Sequence, residues 1–439
     1  MKTLLFSICS LLFSATLMAQ TFNQAKMDSL FQLLAANQKG MGTISIYQDG
    51  KEVYTNAIGF MDLANKKAAT PATKYRIGSI TKTFTATLIL QLVEAGKLSL
   101  DTKLSTFFPE VVNAKRITIE QMLRHRSGIF NVTSAPDYLS WMEQPISRKA
   151  MVDKIVASGS TFDPGIRMEY SNSNYILLTY ILEDLMGMSL AEALQRHICV
   201  PCGLTNTFYG GKINPANNEA LSYNYLSGWQ LATETDMSVP EGAGAFVSTA
   251  SDVNRFFNCI FDQKVLSEAS LKAMTQLTDG FGLGIFTVPF YDKQGLGHNG
   301  GIDGFISNSF HFPDDGVGIT YLSNGAVMPL NDIMIGVLSI YFDKPYDLPD
   351  FSPALVLSSE DLDQYLGVYA SPTFPLKLTF TKDGDVLMAQ ATGQSSFPLE
   401  AYGVHQFRFD PAGIKLEFVP AEQKVTLMQG GGTFEFTRE

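Results

Sequence analysis

Two blocks of period-two alternation stand at opposite ends of one long segment of this 439-residue chain, and the sequence between them is patterned differently. The first block covers residues 42–60 around Gln48-Asp49-Gly50, an Asp-Gly turn of the kind that closes a two-residue hairpin. The second covers residues 281–325, where the pattern predicts short strands over 281–288, 304–311 and 317–322, with Asp314-Asp315-Gly316 turning between the last two. Between the blocks, residues 79–95 read as a buried apolar helix, and residues 114 to about 235 read as mostly helical, broken at Pro and Gly. A further helix is predicted near 330–342. Strands first, helices in the middle, then strands and a helix imply one sheet fed from both ends of the segment. The predicted fold class is α+β: an antiparallel sheet flanked by helices in an α/β sandwich, with an inserted helical subdomain.

The rest of the chain reads differently. Residues 343–358 are punctuated by proline and read as a linker. Residues 359–439 show short strands with turns at Asp383-Gly384, Pro411-Ala412-Gly413 and Gly430-Gly431-Gly432, which predicts a small all-β, barrel-like domain. At the N-terminus, Lys2, an apolar run from Leu4 to Leu17 and then Met18-Ala19 read as a secretory signal peptide over residues 1–19. The main domain is then 20–342. The run is too short to span a membrane comfortably, and no other segment is long and apolar enough. An exported protein, periplasmic or secreted, is therefore expected.

Composition excludes some functions. With 32 basic and 43 acidic residues the net charge is −11, which argues against nucleic acid as a partner. The five histidines, His125, His197, His298, His311 and His405, show no metal-ligand spacing, so no metal and no cofactor are expected. Cys199-Val200-Pro201-Cys202 has redox-motif spacing, but it follows a helix in a turn without a thioredoxin-like context. Export would allow that pair to oxidise, and Cys259 then reads as buried packing.

Three motifs carry chemistry. Ser79-Ile80-Thr81-Lys82 opens the buried helix of the first half, and a residue three positions on lies on the same helix face. A hydroxyl thus sits beside an amine at a helix N-terminus, where positive dipole and free N–H groups favour an oxyanion. Alone, such a tetrapeptide arises about once by chance in a chain this long. Tyr170-Ser171-Asn172 follows Phe162-Asp163-Pro164-Gly165 and precedes an apolar helix. A tyrosine beside this pair can shuttle protons if Lys82 and a second cation lower its phenol from about 10, and Asn172 can both donate and accept to a substrate amide. Gly297-His298-Asn299-Gly300-Gly301 is a Gly-rich stretch that permits close backbone approach, with His298 as donor or cation.

Taken in order, Ser79-x-x-Lys82, Tyr170-x-Asn172 and His298-x-Gly300 resemble the serine β-lactamase and D-alanyl-D-alanine-peptidase-like superfamily, in its class C-like branch. Tyr75-Arg76-Ile77-Gly78, the stretch from Ile119 through His125 to Ile129, and that from Gly242 to Asp252 support the likeness, which covers roughly residues 25–342. The stretch from Leu362 to Tyr369 resembles the start of the lipocalin-like β domain appended to such enzymes. The resemblance implies an acylated Ser79, with Lys82 and Tyr170 sharing base and proton-return work. Asn172 would orient the substrate, and the N–H groups of Ser79 and Gly301 would form an oxyanion hole. It gives His125 no role. One departure stands out: where many relatives carry Lys-Thr-Gly, this chain has His298-Asn299-Gly300. Asn299 can still donate a hydrogen bond to substrate, but it lacks the hydroxyl that often contacts a substrate carboxylate. The expected function is an exported serine hydrolase acting through an acyl-enzyme on a small-molecule, peptide or amide substrate, D,D-peptidase-like. A lactamase-like carboxylesterase, a β-lactamase and a non-catalytic penicillin-binding-type sensor are the alternatives. Oligomeric state is not legible.

Overall fold

The first hairpin forms around left-handed Asp49 (φ 49°) and Gly50 (φ 75°), joining β1 (Gly40–Gln48) to β2 (Lys51–Ile58). It belongs to a computed structural model that describes residues 22–226, 228–351, 355–409, 412–429 and 432–439; the signal-peptide reading of residues 1–19 lies outside these. The chain divides into two compact units, with the division between Leu348 and Pro349.

In the first unit β1 and β2 join four late strands: β3 (Phe286–Phe290), β4 (Lys293–Ile302), β5 (Phe305–Phe312) and β6 (Val317–Ala326). The order across the sheet is β3-β4-β5-β6-β1-β2, antiparallel throughout. Both ends of the segment therefore build one sheet, with β1 lying against β6 from Gly40↔Ala326 to Gln48↔Val317.

Strand β1 is buried along nearly its whole length because helices cover both faces. Helices α1 (Gln24–Ala36) and α5 (Leu330–Tyr341) pack on one side; α2 (Thr81–Glu94), α3 (Asn172–Met186) and α4 (Ala250–Phe261) lie on the other. Thr249 caps α4 by accepting the Asp252 N–H at 3.2 Å. Asn254 then ties α4 to the sheet, donating to Ser45 O at 2.8 Å and accepting from Thr320 Oγ1 at 2.8 Å.

Helix α2 is almost wholly buried despite four threonines in its sequence. Those hydroxyls are satisfied: Thr81 accepts the Phe246 N–H at 3.2 Å, Thr83 donates to Gly284 O at 2.7 Å, Thr85 to Gly242 O at 2.8 Å and Thr87 to Thr83 O at 2.9 Å. A central helix can thus be polar in sequence and still form core.

Two expectations are corrected, and one stretch without an assigned element is placed. Gly297-His298-Asn299-Gly300-Gly301 is itself part of strand β4, one turn ahead of the strand that begins at Phe305. Glycine is poor in strands, which hid it; here the glycines allow backbones to approach. The helical reading of 114–235 also runs too far, because short strands replace helix from Phe208–Tyr209 onward. Finally, Cys202 pairs with Cys259, 57 residues away in sequence, and Cys199 is a buried free thiol. Cys199 sits in a π-turn over Gln195–Cys199, its Sγ 3.5 Å from Thr207 O, so the adjacent cysteine was not the one in reach.

The second unit is a closed eight-stranded barrel running from β7 (Gly367–Ala370) through β8 (Leu378–Asp383), β9 (Val386–Ala391), β10 (Phe397–Gly403), β11 (Gln406–Phe409), β12 (Ile414–Val419) and β13 (Lys424–Gln429) to β14 (Gly432–Arg438). Its interior is filled by Tyr369, Phe380, Leu387, Phe407, Phe418, Val425 and Phe436. Pairing of β7 with β14 leaves no edge exposed.

Candidate active site

Ser79 lies in a 3-10 turn over Gly78–Ile80 that runs directly into α2. It is the partly accessible residue in an otherwise buried run from Tyr75 to Leu90. Glycine is required on both sides of this turn. Gly78 has φ 51°, and a Cβ there would fall 2.7 Å from Gly301 N. A Cβ on Gly300 would fall 2.1 Å from Ile77 O and 3.0 Å from Ser79 N. The Ser79 turn and the end of β4 are therefore in backbone contact, which brings Ser79 and Gly301 together.

Lys82 is fully buried one turn into the helix. Its Nζ lies 3.0 Å from Ser79 Oγ, 2.7 Å from Asn172 Oδ1 and 2.7 Å from Ala243 O. It also sits 4.8 Å from the centre of the Tyr170 ring. Burial pushes the amine well below its usual 10.5. A neutral amine has two N–H groups and one lone pair. The two carbonyl oxygens can only accept, so they take both N–H groups and leave the lone pair for the Ser79 hydroxyl proton.

Asn172, the first residue of α3, holds this arrangement. Its N–H donates to Asn131 Oδ1 at 2.9 Å and its Nδ2 to Thr133 Oγ1 at 2.8 Å, while Oδ1 receives Lys82. One side-chain N–H is left over for a substrate. Asn172 thus first anchors Lys82, and only secondarily can it serve as a substrate contact.

Tyr170 reaches the same point, with Ser79 as the polar group beside its hydroxyl. Burial drives the phenol upward; the Ser79 contact opposes this weakly. The expected lowering by Lys82 and a second cation is not what the structure has, because no charged partner is there. His298, 2% exposed, lies with its ring 6.5 Å from that of Tyr170. Burial, and then Lys82, hold it down at about 3. Its Nδ1 faces Asn299 O, which accepts only, so Nδ1 carries the proton and Nε2 is an acceptor. His298 is a neutral imidazole, not a cation.

Asn299 is exposed and points the other way, as alternation along a strand requires. It pairs across to Asn308 and lines a groove with Phe310, Met334 and Leu338 on the α5 face. The structure does not place it with His298.

His125 is the site residue that sequence reasoning passed over. It is buried, at φ 55°, and its ring stacks on Tyr170 with centres 4.3 Å apart. Its Nδ1 accepts the Ser171 N–H at 3.2 Å. Burial, then Lys82 and His298, keep it well below the usual imidazole range. Ala243 O, Asn131 and Thr133 were missed as well. A backbone carbonyl leaves no sequence signal, though the segment opening at Gly242 had been singled out. Every titratable group around Ser79 is thus pushed toward its neutral form, an arrangement suited to moving a proton rather than to holding charge.

A family model described as Beta-lactamase matches residues 27–334. Penicillin-binding protein 4* of Bacillus subtilis is 24% identical over 433 residues, covering 90% of this chain and 94% of that protein. Among solved structures, an octameric penicillin-binding protein homologue from Pyrococcus abyssi superposes with a TM-score of 0.70 at 23% identity, covering 94% of this chain and 99% of that one. D-amino acid amidase from Ochrobactrum anthropi gives 0.65 at 24% identity, over 73% of this chain and 99% of that chain.

Proposed function

The chain belongs to the beta-lactamase family, and on that premise we propose that it is an exported serine hydrolase that cleaves a peptide or amide through an acyl-enzyme on Ser79, in the manner of a D,D-peptidase. The observation that carries this reading is the Lys82 amine, buried and 3.0 Å from Ser79 Oγ, with Asn172 Oδ1 and Ala243 O each 2.7 Å from the same nitrogen. Lys82 takes the Ser79 proton as Oγ attacks the acyl carbon. The N–H groups of Ser79 and Gly301 receive the developing oxyanion. Tyr170, a neutral phenol at Ser79, passes a proton to the leaving nitrogen and is refilled from Lys82. Water then attacks the acyl-enzyme by the same route in reverse. A match to a penicillin-binding protein along nearly the full chain, and a fold shared with an amidase, support amide over other acyl donors.

The test is a substrate panel on the mature protein with Ser79→Ala as control. A fluorophosphonate is expected to label Ser79 and to fail on Ser79→Ala; equal labelling of both would sink the reading. Turnover of a p-nitrophenyl ester without turnover of any D-alanyl peptide would move the assignment to an esterase. A labelled penicillin that is bound and never released would favour a sensor. Secretion of a tagged chain, with a new N-terminus after Ala19, tests export.

A further inference from the structure

Arg76 stands three residues before Ser79, and Asp303 two residues after Gly301. The two side chains meet as a buried ion pair, Arg76 Nη1 to Asp303 Oδ2 at 2.8 Å, with side-chain exposures of 2% and 0%. Arg76 also donates to Thr235 O at 2.9 Å, to Gly211 O at 2.9 Å and to Glu234 Oε1 at 3.1 Å. The other oxygen of Asp303 accepts the Thr235 N–H at 2.9 Å and its hydroxyl at 2.7 Å. Asp303 is held at φ 54°, in the tight turn that joins β4 to β5. Among the described residues this is the one ion pair that joins the nucleophile turn to the end of β4.

A buried ion pair is a weak source of net stability, because removing two charges from water costs about what their attraction returns. What it supplies is geometry: one charge-assisted bond joins the two side chains, and their remaining contacts to Gly211, Glu234 and Thr235 hold each of them in place. Here they fix the spacing of two short segments that already touch, since a Cβ on Gly78 would lie 2.7 Å from Gly301 N. These segments carry the two N–H groups assigned to the oxyanion. Such donors act by being set in place before charge develops, so a displacement of a few tenths of an ångström is felt in the transition state and hardly at all in ground-state binding.

We propose that Arg76 and Asp303 are positioning residues for acyl transfer: their buried pair, braced by Thr235, sets the gap between the Ser79 and Gly301 N–H groups. The proposal rests on Ser79 being the acylated nucleophile. It makes Arg76-Ile77-Gly78-Ser79 a single functional unit whose first residue acts through the turn and touches no substrate.

The test compares Asp303→Asn and Arg76→Lys with the parent protein for ester or peptide hydrolysis and for inhibition by phenylboronic acid, which forms a tetrahedral adduct on a nucleophilic serine. In both variants kcat is expected to fall about ten-fold or more, with KM within about two-fold. Affinity for the boronic acid should fall in parallel with kcat, a shift that a merely structural role would not produce. A folded Asp303→Asn protein with kcat and boronic acid affinity both within about two-fold of the parent overturns the proposal. Should both variants unfold, Thr235→Val decides: it leaves the ion pair intact and removes one donor to Asp303, so a smaller parallel loss supports the brace and no change overturns it. Fluorophosphonate labelling of Ser79→Ala separates the two levels. A labelled Ser79→Ala protein removes the acyl-enzyme reading and the brace together, whereas an unlabelled one beside an unaffected Asp303→Asn removes the brace alone.

Discussion

The His125 ring lies flat against Tyr170, 4.3 Å between centres at 30°, while its Nδ1 accepts the N–H of the very next residue, Ser171. One side chain therefore fixes both the plane of the Tyr170 ring and the backbone on which it is carried. It does so from a left-handed backbone position, φ 55°, that costs about 1 kcal/mol or more outside glycine and asparagine.

This separates two substitutions. His125→Asn tolerates the left-handed position and can still accept the Ser171 N–H, but it loses the stacked ring. It is expected to retain nearly full stability and to lose kcat several-fold. His125→Val adds a β-branched side chain at a strained position and should lose about 1–3 kcal/mol of stability as well. Thermal melts paired with single-turnover acylation distinguish them; equal melts for the two variants would contradict the role of backbone strain.

A second expectation concerns pH. The Lys82 amine is pushed well below 10.5 by burial, and only its neutral form can accept the Ser79 proton. Activity should therefore be present above the folded Lys82 value and be lost as pH falls through it, giving an acid limb in kcat/KM far below the ordinary lysine range. Lys82→Arg carries a permanent charge and should lose about 10²–10⁴ in rate at every pH. A Lys82→Arg protein with a normal acid limb would show that another group titrates there.

Gly300→Ala tests the backbone contact. The added Cβ would lie 2.1 Å from Ile77 O and 3.0 Å from Ser79 N, neither of which is a flexible side chain. Overpacking of this kind costs about 1–3 kcal/mol, and the acylation rate should fall by about 100-fold because the strand is pushed off the nucleophile turn. Gly301→Ala meets nothing within 4 Å and should retain most of its stability. Similar rates for the two alanine variants would contradict this.

Glu241 supplies a stability test. It opens the turn that presents Ala243 O to Lys82, at φ 43°, and receives Tyr209 OH at 3.1 Å. Burial, reinforced by Glu183 and Asp236, raises its carboxyl from 4.5 to about 7. An acid whose folded value is raised binds its proton more tightly when folded. Its contribution is fully present below about 4.5 and is lost as pH rises toward 7, on the order of 3 kcal/mol in all. Glu241→Gln should flatten the decline in melting temperature between those pH values; an unchanged slope would place the effect elsewhere.

Much of this was legible in sequence because local chemistry announces it. Asp49-Gly50 can close a hairpin in few ways, and the alternation on either side named its strands. Ser79 and Lys82 are three residues apart at a helix start, so their meeting follows from local helical geometry, 3-10 at Ser79 and α from Thr81. Tyr170, Asn172 and His298 could be listed, but not the protonation states of Tyr170 and His298, which depend on burial supplied by distant segments. Strand β4 was hidden by its own glycines, whose value lies in what they touch. His125 is given no role by the sequence because a lone histidine in a loop looks the same whether it faces water or a tyrosine. Cys202 could not be matched to Cys259 because the partner is chosen by how α4 packs.

The pairing of β1 with β6, Gly40 against Ala326, has a temporal consequence. Ser79 and Lys82 emerge early in synthesis, while Gly300, Gly301 and the strand that completes the sheet emerge hundreds of residues later. Contacts this distant in sequence close slowly. A nascent or truncated chain therefore carries Ser79 and Lys82 without the strand that presents Gly301, and on the proposed mechanism reactivity would arrive with completion of the sheet rather than with synthesis of the serine.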